Sequence, residues 1–503
     1  MNLLNQYIIT KKTFKPEKLQ TAGAAIFDLP EKVLQFGTGV LLRGLPDYFI
    51  DKANREGIFN GRIVVVKSTA GAATDFDEQD NLFTHYVSGI ENGKAVEEYI
   101  LNTSISKVLS AQSHWQDILA YAEKSEMQII ISNTTEVGIQ LLENEDIFAA
   151  PPVSFPGKLA AFLYHRFKAF AGSPESGMVI VPTELIVDNG KKLKEIVIAL
   201  AEKAQLEVSF VAWLEKHNRF CNSLVDRIVP GKPDISKKQD IEATVGYQDN
   251  LIITSEVYRL WAIEGDSYVK KKLSFAQADK GVVIAPDITP YRERKLRLLN
   301  GTHTISVPLA FLYGKDTVYE AMQTPLLADF IEKVMKENIA VATPVSSEMA
   351  LSFAQEVLDR FRNDGIVHYL INITLQETAK MNMRNGATFV RYYEKTGKVP
   401  QYMALGFAAY LYFMKAVQIE DGKYYGERNG KKYPIQDDAA AYFYEKWQTL
   451  APEQLVQEVM SNTTLWQTDL TQLGGLSETV ELYLLQLIEE GVENVLSKVL
   501  QMA

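Results

Sequence analysis

Short apolar runs alternate with stretches of helical periodicity over the first 285 residues or so, after a preamble of about 30 without strong periodicity. Lys32-Val33-Leu34-Gln35-Phe36 reads as a buried strand running into Gly37-Thr38-Gly39. A helical stretch follows from about Val40 to Arg55, then a second strand over 62–66. Strand, glycine turn, helix, strand is the opening of a dinucleotide-binding unit. Later runs over 127–132, 177–181 and 282–285 end in Asn133-Thr134-Thr135-Glu136, Pro182-Thr183-Glu184 and Pro286-Asp287. Polar clusters at strand C-terminal ends are where open α/β sheets bind ligands, although each alone also reads as a loop or cap. Beyond about 285, β-rich runs become few, and 325–337, 346–360 and 476–501 carry helical periodicity. The expected architecture is α/β, with a Rossmann-like dinucleotide-binding domain over 1–285. A mostly α-helical substrate or catalytic domain is expected over 286–503. Residues 422–438, polar and punctuated by glycine and proline, read as a loop.

In the glycine turn, Gly37 and Gly39 would let the backbone approach a pyrophosphate, with the helix N-terminus stabilising its charge. Leu42 stands where a third glycine is usual, so an ordinary βα turn remains an alternative. The second strand ends Val66-Lys67-Ser68-Thr69, and no Asp or Glu occurs between Glu56 and Asp75. An acid at that point would read the adenosine ribose, whereas Lys67 would suit a 2′-phosphate. The residues themselves leave NAD and NADP both open.

The second domain opens on residues 290–314, where Thr289-Pro290 reads as a helix start and Leu296, Leu299, Val307 and Leu309 as its apolar content. Three polar groups interrupt it: Lys295, Asn300 and His303. At about 100° per residue, Asn300 falls about 140° from Lys295 and His303 about 60° short of Asn300, which puts all three on one side. An amine, an amide and an imidazole in one cavity can move a proton and hold a carbonyl oxygen. The plainer alternatives are a lysine reaching to water, a core histidine and a turn at Asn300-Gly301.

The net charge of −11 argues against nucleic acid as a partner, without excluding a small anionic substrate in a local basic pocket. The single cysteine, Cys221, precludes an internal disulfide and suits a reducing compartment. No signal-peptide pattern and no bilayer-length apolar run is visible, so a cytoplasmic location away from membranes is expected. The six histidines are scattered, with no pair at helical ligand spacing, and no metal site is expected.

Several blocks together resemble the long-chain mannitol dehydrogenase family of polyol-specific dehydrogenases and reductases. They are Gly37-x-Gly39 with Arg43, the segment 220–230 containing Val225-Asp226-Arg227-Ile228, the Lys295/Asn300/His303 set and Arg360-Phe361-Arg362-Asn363. Ser132-Asn133-Thr134-Thr135-Glu136, Pro152-Val153-Ser154-Phe155-Pro156 and the Tyr425-Gly426-Glu427-Arg428-Asn429-Gly430 loop resemble members that act on uronates. The resemblance implies reversible, metal-independent hydride transfer between NAD(H) and a small uronate/aldonate pair. It implies cofactor contacts at Gly37, Thr38, Gly39, Arg43, Asn133, Thr134 and Asp226, to which the residues themselves add Lys67 at the end of the second strand. Lys295 would handle the proton, Asn189 and Asn300 the oxyanion, and His303 the orientation of substrate or lysine. Arg360 would pair with a substrate carboxylate, with His368, Lys380 and Arg384 nearby in sequence as weaker candidates. Glu184-Leu185 departs from the Asp-Asn pair of many members, so the second oxyanion role is carried to Asn189; a simple turn at Asn189-Gly190 is the alternative.

Overall fold

The computed structural model describes residues 1–11, 17–68, 73–134, 138–365 and 367–502. Thr69, Thr135 and Glu136, named above, lie outside the described residues. The chain divides into two compact units, one made of 1–89 with 95–288 and the other of 90–94 with 289–503.

The first unit is built on six parallel strands: β1 (Glu31–Phe36), β2 (Arg62–Lys67), β3 (Ile105–Ser110), β4 (Ile129–Ser132), β5 (Val179–Pro182) and β6 (Arg219–Phe220). Their spatial order is β3-β2-β1-β4-β5-β6, the doubly wound Rossmann order. Central strands covered on both faces must be apolar throughout, and Val33, Leu34, Val64, Val65, Ile130 and Ile131 are all buried. Two apolar clusters pack on the two faces, one around Phe49, Trp261 and Phe275, the other around Phe162, Phe210 and Trp213. The strand order reverses between β1 and β4, the point at which such sheets bind ligands. The expected helix over 40–55 is two helices, Val40–Gly44 and Pro46–Arg55. Pro46 cannot donate to the preceding turn, and Leu45 leaves helical geometry (φ −132°, ψ −77°). The run Val282–Ala285 pairs in a separate three-stranded sheet with Ser223–Asp226 and Leu260–Glu264.

The second unit is mostly helical. Helix Thr289–Arg294, a π-helical turn Lys295–Gly301 and helix Thr302–Tyr313 run on from one another. Two more π-helical turns occur among the described residues, Val334–Ile339 and Asn382–Gly386, and both pack against the first. The stretch expected as one helix over 476–501 is broken at Gly491 (φ 81°) into Leu476–Glu490 and Val492–Met502. The loop expected over 422–438 is instead most of a three-stranded antiparallel meander, Gln418–Glu420, Lys423–Arg428 and Lys431–Ile435. Asp421-Gly422 and Asn429-Gly430 turn its corners with positive φ at each residue. Residues 90–94, which include the end of Phe83–Glu91 and the start of Lys94–Asn102, belong to this unit, and Gly93 N donates to Asp359 Oδ2 at 3.2 Å. No helix among the described residues is long and apolar enough to cross a membrane.

Candidate active site

In the first unit the loop Gly37-Thr38-Gly39 leaves the end of β1. Gly37 has φ +127°, and a Cβ there would lie 2.8 Å from Leu42 Cδ1 and 3.1 Å from Asn133 O. Only glycine fits. Leu42, in place of a third glycine, is wholly buried and packs beneath the loop. A Cβ on Gly39 would meet nothing within 4 Å, so the space beside it is open to a ligand. Across the switch point, Asn133 N donates to Phe36 O (3.2 Å), and its side-chain amide donates to Thr183 O and Oγ1 (3.2 and 3.0 Å).

Glu184, noted above in a strand-end polar cluster and as a departure from the family pattern, organises this end of the sheet. Its buried carboxylate accepts from Thr134 N and Oγ1 (2.8 and 3.0 Å) and from Ser132 Oγ (3.2 Å). Burial pushes its pKa up, and these hydrogen bonds offset part of the rise. A cavity of about 260 Å³ opens beside Ser68, Thr134, Ser154 and Lys158. Lys67 ends β2, directly before Ser68.

Three expected residues take structural positions. Arg43 is buried and donates to Leu251 O at 2.7 Å, with its guanidinium over the Phe83 and Phe76 rings; it faces the interior rather than the loop mouth. Asp226 is buried in the three-stranded sheet, and the adjoining Arg227 donates to Gly44 O (2.7 Å) and Glu256 O (3.0 Å), bracing the helix that follows the glycine loop. Asn189 corrects the expectation of an oxyanion donor. It is fully buried; its amide nitrogen donates to Pro182 O, Glu184 O and Ser223 O (3.0–3.1 Å), and its oxygen accepts from Gly190 N and Ser223 N (both 2.9 Å). Every donor and acceptor is used, so none is left for a substrate.

In the second unit, Lys295 and Asn300 stand at the two ends of one π-helical stretch. Bonding from i to i+5 puts more than four residues in each turn, which shortens the angular separation that an α-helix gives residues five apart. The side-chain amide of Asn300 makes no hydrogen bond among the described residues, in contrast to Asn189. One turn on, the His303 ring lies 4.3 Å edge-on from Phe361 and 6.3 Å from His368, measured between centroids. Its Nε2 is shielded from solvent and has no partner among the described residues.

Burial, then His368, Arg360 and Arg384, hold the His303 pKa down to about 3. Burial and Arg360 lower that of His368 in the same way. Burial first, and then the charge of Arg360 (joined at His303 by Arg384), keeps both imidazoles neutral, and the same positive potential favours a bound anion. Arg384 donates to Thr304 Oγ1 at 3.0 Å and Lys380 Nζ to Ile373 O at 2.9 Å. Sequence reading passed over Glu377, which is fully buried with both oxygens unpartnered among the described residues; burial raises its pKa well above the usual range. Among the described residues no three His, Cys, Asp or Glu are gathered to hold a metal ion.

Residues 31–277 match the mannitol dehydrogenase Rossmann domain, and residues 287–488 match the mannitol dehydrogenase C-terminal domain. The chain is 39% identical to an altronate oxidoreductase of Bacillus subtilis, over 93% of this chain and 95% of the relative. It is 37% identical to an altronate oxidoreductase of Pectobacterium carotovorum, over 92% and 96% respectively. Among solved structures it resembles Pseudomonas fluorescens mannitol 2-dehydrogenase in a ternary complex with NAD and D-mannitol, with TM-score 0.64, 23% identity, and coverage of 99% of this chain and 100% of that one. A D-sorbitol dehydrogenase matches with TM-score 0.78 at 18% identity, covering 98% and 100%.

Proposed function

We propose that this chain, which belongs to the mannitol dehydrogenase family, catalyses the reversible NAD-dependent interconversion of D-altronate and D-tagaturonate. The observation that carries this reading is the 39% identity to an altronate oxidoreductase across 93% of the chain. The glycine loop fits a dinucleotide: Gly37 is sterically obligatory, and the space beside Gly39 is open. Gly37, Thr38 and Gly39 would hold the pyrophosphate, with Asn133 and Thr134 across the switch point. The cavity beside Ser68 and Thr134 suits the adenosine end.

NAD, when bound, supplies the acceptor for the hydride that leaves the carbinol carbon. Lys295, as the free amine, takes the hydroxyl proton during oxidation, and its ammonium returns that proton to the alkoxide during reduction. Asn300 donates to the substrate oxygen as negative charge develops there. His303, held neutral, orients a substrate hydroxyl or Lys295 through Nε2 and is not itself the proton carrier. Arg360 receives the uronate carboxylate, with His368 beside it.

Oxidation of NADH, followed at the reduced-nicotinamide absorbance with tagaturonate, fructuronate and fructose in turn, tests the reading. Tagaturonate is expected to give the highest kcat/KM, unchanged after exhaustive chelation. A higher value with fructuronate would reassign the substrate, and activity lost on chelation and restored by zinc would overturn the proton role of Lys295.

A further inference from the structure

We infer that Arg297 and Asn385 latch two π-helical turns, Lys295–Gly301 and Asn382–Gly386, to each other, and so act as positioning residues for Lys295 and Asn300. The inference rests on the roles given to Lys295 and Asn300 above. A π-helical turn is a one-residue irregularity in helical hydrogen bonding, and it persists where other contacts hold it. Here the contacts run in both directions. Arg297 Nη1, from the first turn, donates to Met383 O and Arg384 O of the second, each at 2.8 Å. In return, Asn385 Nδ2 donates to Gly301 O at 3.1 Å, and Arg384 Nη1 reaches Thr304 Oγ1 at 3.0 Å and Asn300 O at 3.5 Å.

The guanidinium of Arg297 is itself aimed by Glu293, which accepts from its Nε at 3.3 Å and from Arg391 Nη1 at 3.0 Å. Gly301 permits the close approach, since a Cβ there would stand 2.9 Å from Asn385 Oδ1. Arg297 and Asn385 are both buried, so unpairing either would leave buried polar groups unsatisfied. The consequence is geometric. If the first turn relaxed to ordinary α-helix, Lys295 and Asn300 would swing toward the separation of about 140° that α-geometry dictates. The latch holds the narrower separation of the π-helical turn. Arg297 also borders a cavity of about 600 Å³ with Asn382, Gly386, Arg391 and Trp466, which gives a small cation a route to the place of its guanidinium.

The test uses the full chain carrying Arg297→Ala or Asn385→Ala, with Arg297→Lys in reserve should the alanine variant not fold. Hydrogen exchange should accelerate at least tenfold at backbone amides of both π-helical turns, and remain at the wild-type rate in the six-stranded sheet. With NAD and altronate, kcat should fall at least tenfold while KM for NAD stays within about twofold. Added guanidinium should restore part of kcat to Arg297→Ala and none to Asn385→Ala. Wild-type exchange in the turns, wild-type kcat despite faster exchange, or faster exchange throughout the second unit would each overturn the inference. If the wild-type protein turns over neither altronate nor tagaturonate, the functional reading fails, and the exchange pattern alone decides whether the latch exists.

Discussion

Asn189 and Asn300 are the same side chain in opposite circumstances. The first spends its amide on Pro182, Glu184 and Ser223 inside the first unit, whereas the second makes no side-chain hydrogen bond among the described residues. A donor already satisfied cannot stabilise charge that appears only in a transition state, which supports the proposal that Asn300 is the amide that meets the substrate oxygen. Lys295 is then the residue whose removal should matter most. Lys295→Ala is expected to abolish nearly all turnover in both directions and leave NADH affinity, read by fluorescence titration, unchanged. Small added amines should restore a fraction of the rate. Turnover at the wild-type level would make Lys295 structural, and His303, with a pKa near 3, would be a poor substitute as a base at neutral pH. Arg360→Ala should raise KM for the uronate about ten- to a hundredfold, the equivalent of roughly 1.5–3 kcal/mol for a charge-assisted contact. Equal weakening for uronate and fructose would show that Arg360 does not read the carboxylate. Spacing alone put Lys295, Asn300 and His303 on one side of a helix, whereas their proposed roles, and that of Arg360, came from the resemblance. The fate of Asn189 was not legible, because its three acceptors come from Pro182, Glu184 and Ser223, and a turn does not announce which distant carbonyls it will meet.

Elements were legible where a single period governs them. β2, β4 and β5 are buried on both faces and marked in the sequence by short apolar runs, and β1 by Val33, Leu34 and Phe36 around the buried Gln35. The π-helical turn at Lys295–Gly301 is invisible to a 3.6-residue reading, because one extra residue per turn changes bonding without changing composition. The meander after Gln418 was hidden for another reason. Its exposed positions include Glu420, Lys423, Glu427, Lys431 and Lys432, so alternation is masked by charge, and the Asp421-Gly422 and Asn429-Gly430 corners were the clearest signal. At the glycine loop, sequence and geometry can be tested together. Gly37→Ala would place a side chain at φ +127° and 3.1 Å from Asn133 O, a strain of about 1–3 kcal/mol. Both the melting temperature and the affinity for NADH should fall. A variant that melts lower but binds NADH as tightly as the wild type would place the pyrophosphate elsewhere.

At the scale of the molecule, each unit buries a titratable group in an uncharged form, and the two respond to pH in opposite senses. In the second unit, the unfolded chain protonates His303 below about 6.5 while the folded state resists until about 3. Stability present above 6.5 is therefore lost as pH falls through that interval. In the first unit, Asp47 is completely buried and its Oδ1 has no partner among the described residues. Burial pushes its pKa up to about 8, with Gln35 and Arg43 offsetting part of the rise. The unfolded chain releases that proton near 3.8, so stability that is complete below 3.8 is lost as pH climbs toward 8. Asp47→Asn keeps the shape and the neutrality but cannot ionise. Its stability margin over the wild type should grow between pH 4 and pH 8, by at most about 1.4 kcal/mol per pH unit, and level off above. His303→Gln should gain on the wild type in the other direction, as pH falls from 6.5. Urea unfolding at a series of pH values, with hydrogen exchange resolving the two units, measures both margins. A margin for Asp47→Asn that did not change with pH would mean that Asp47 is ionised in the folded protein across this range, with Arg43 as the charge that makes ionisation tolerable.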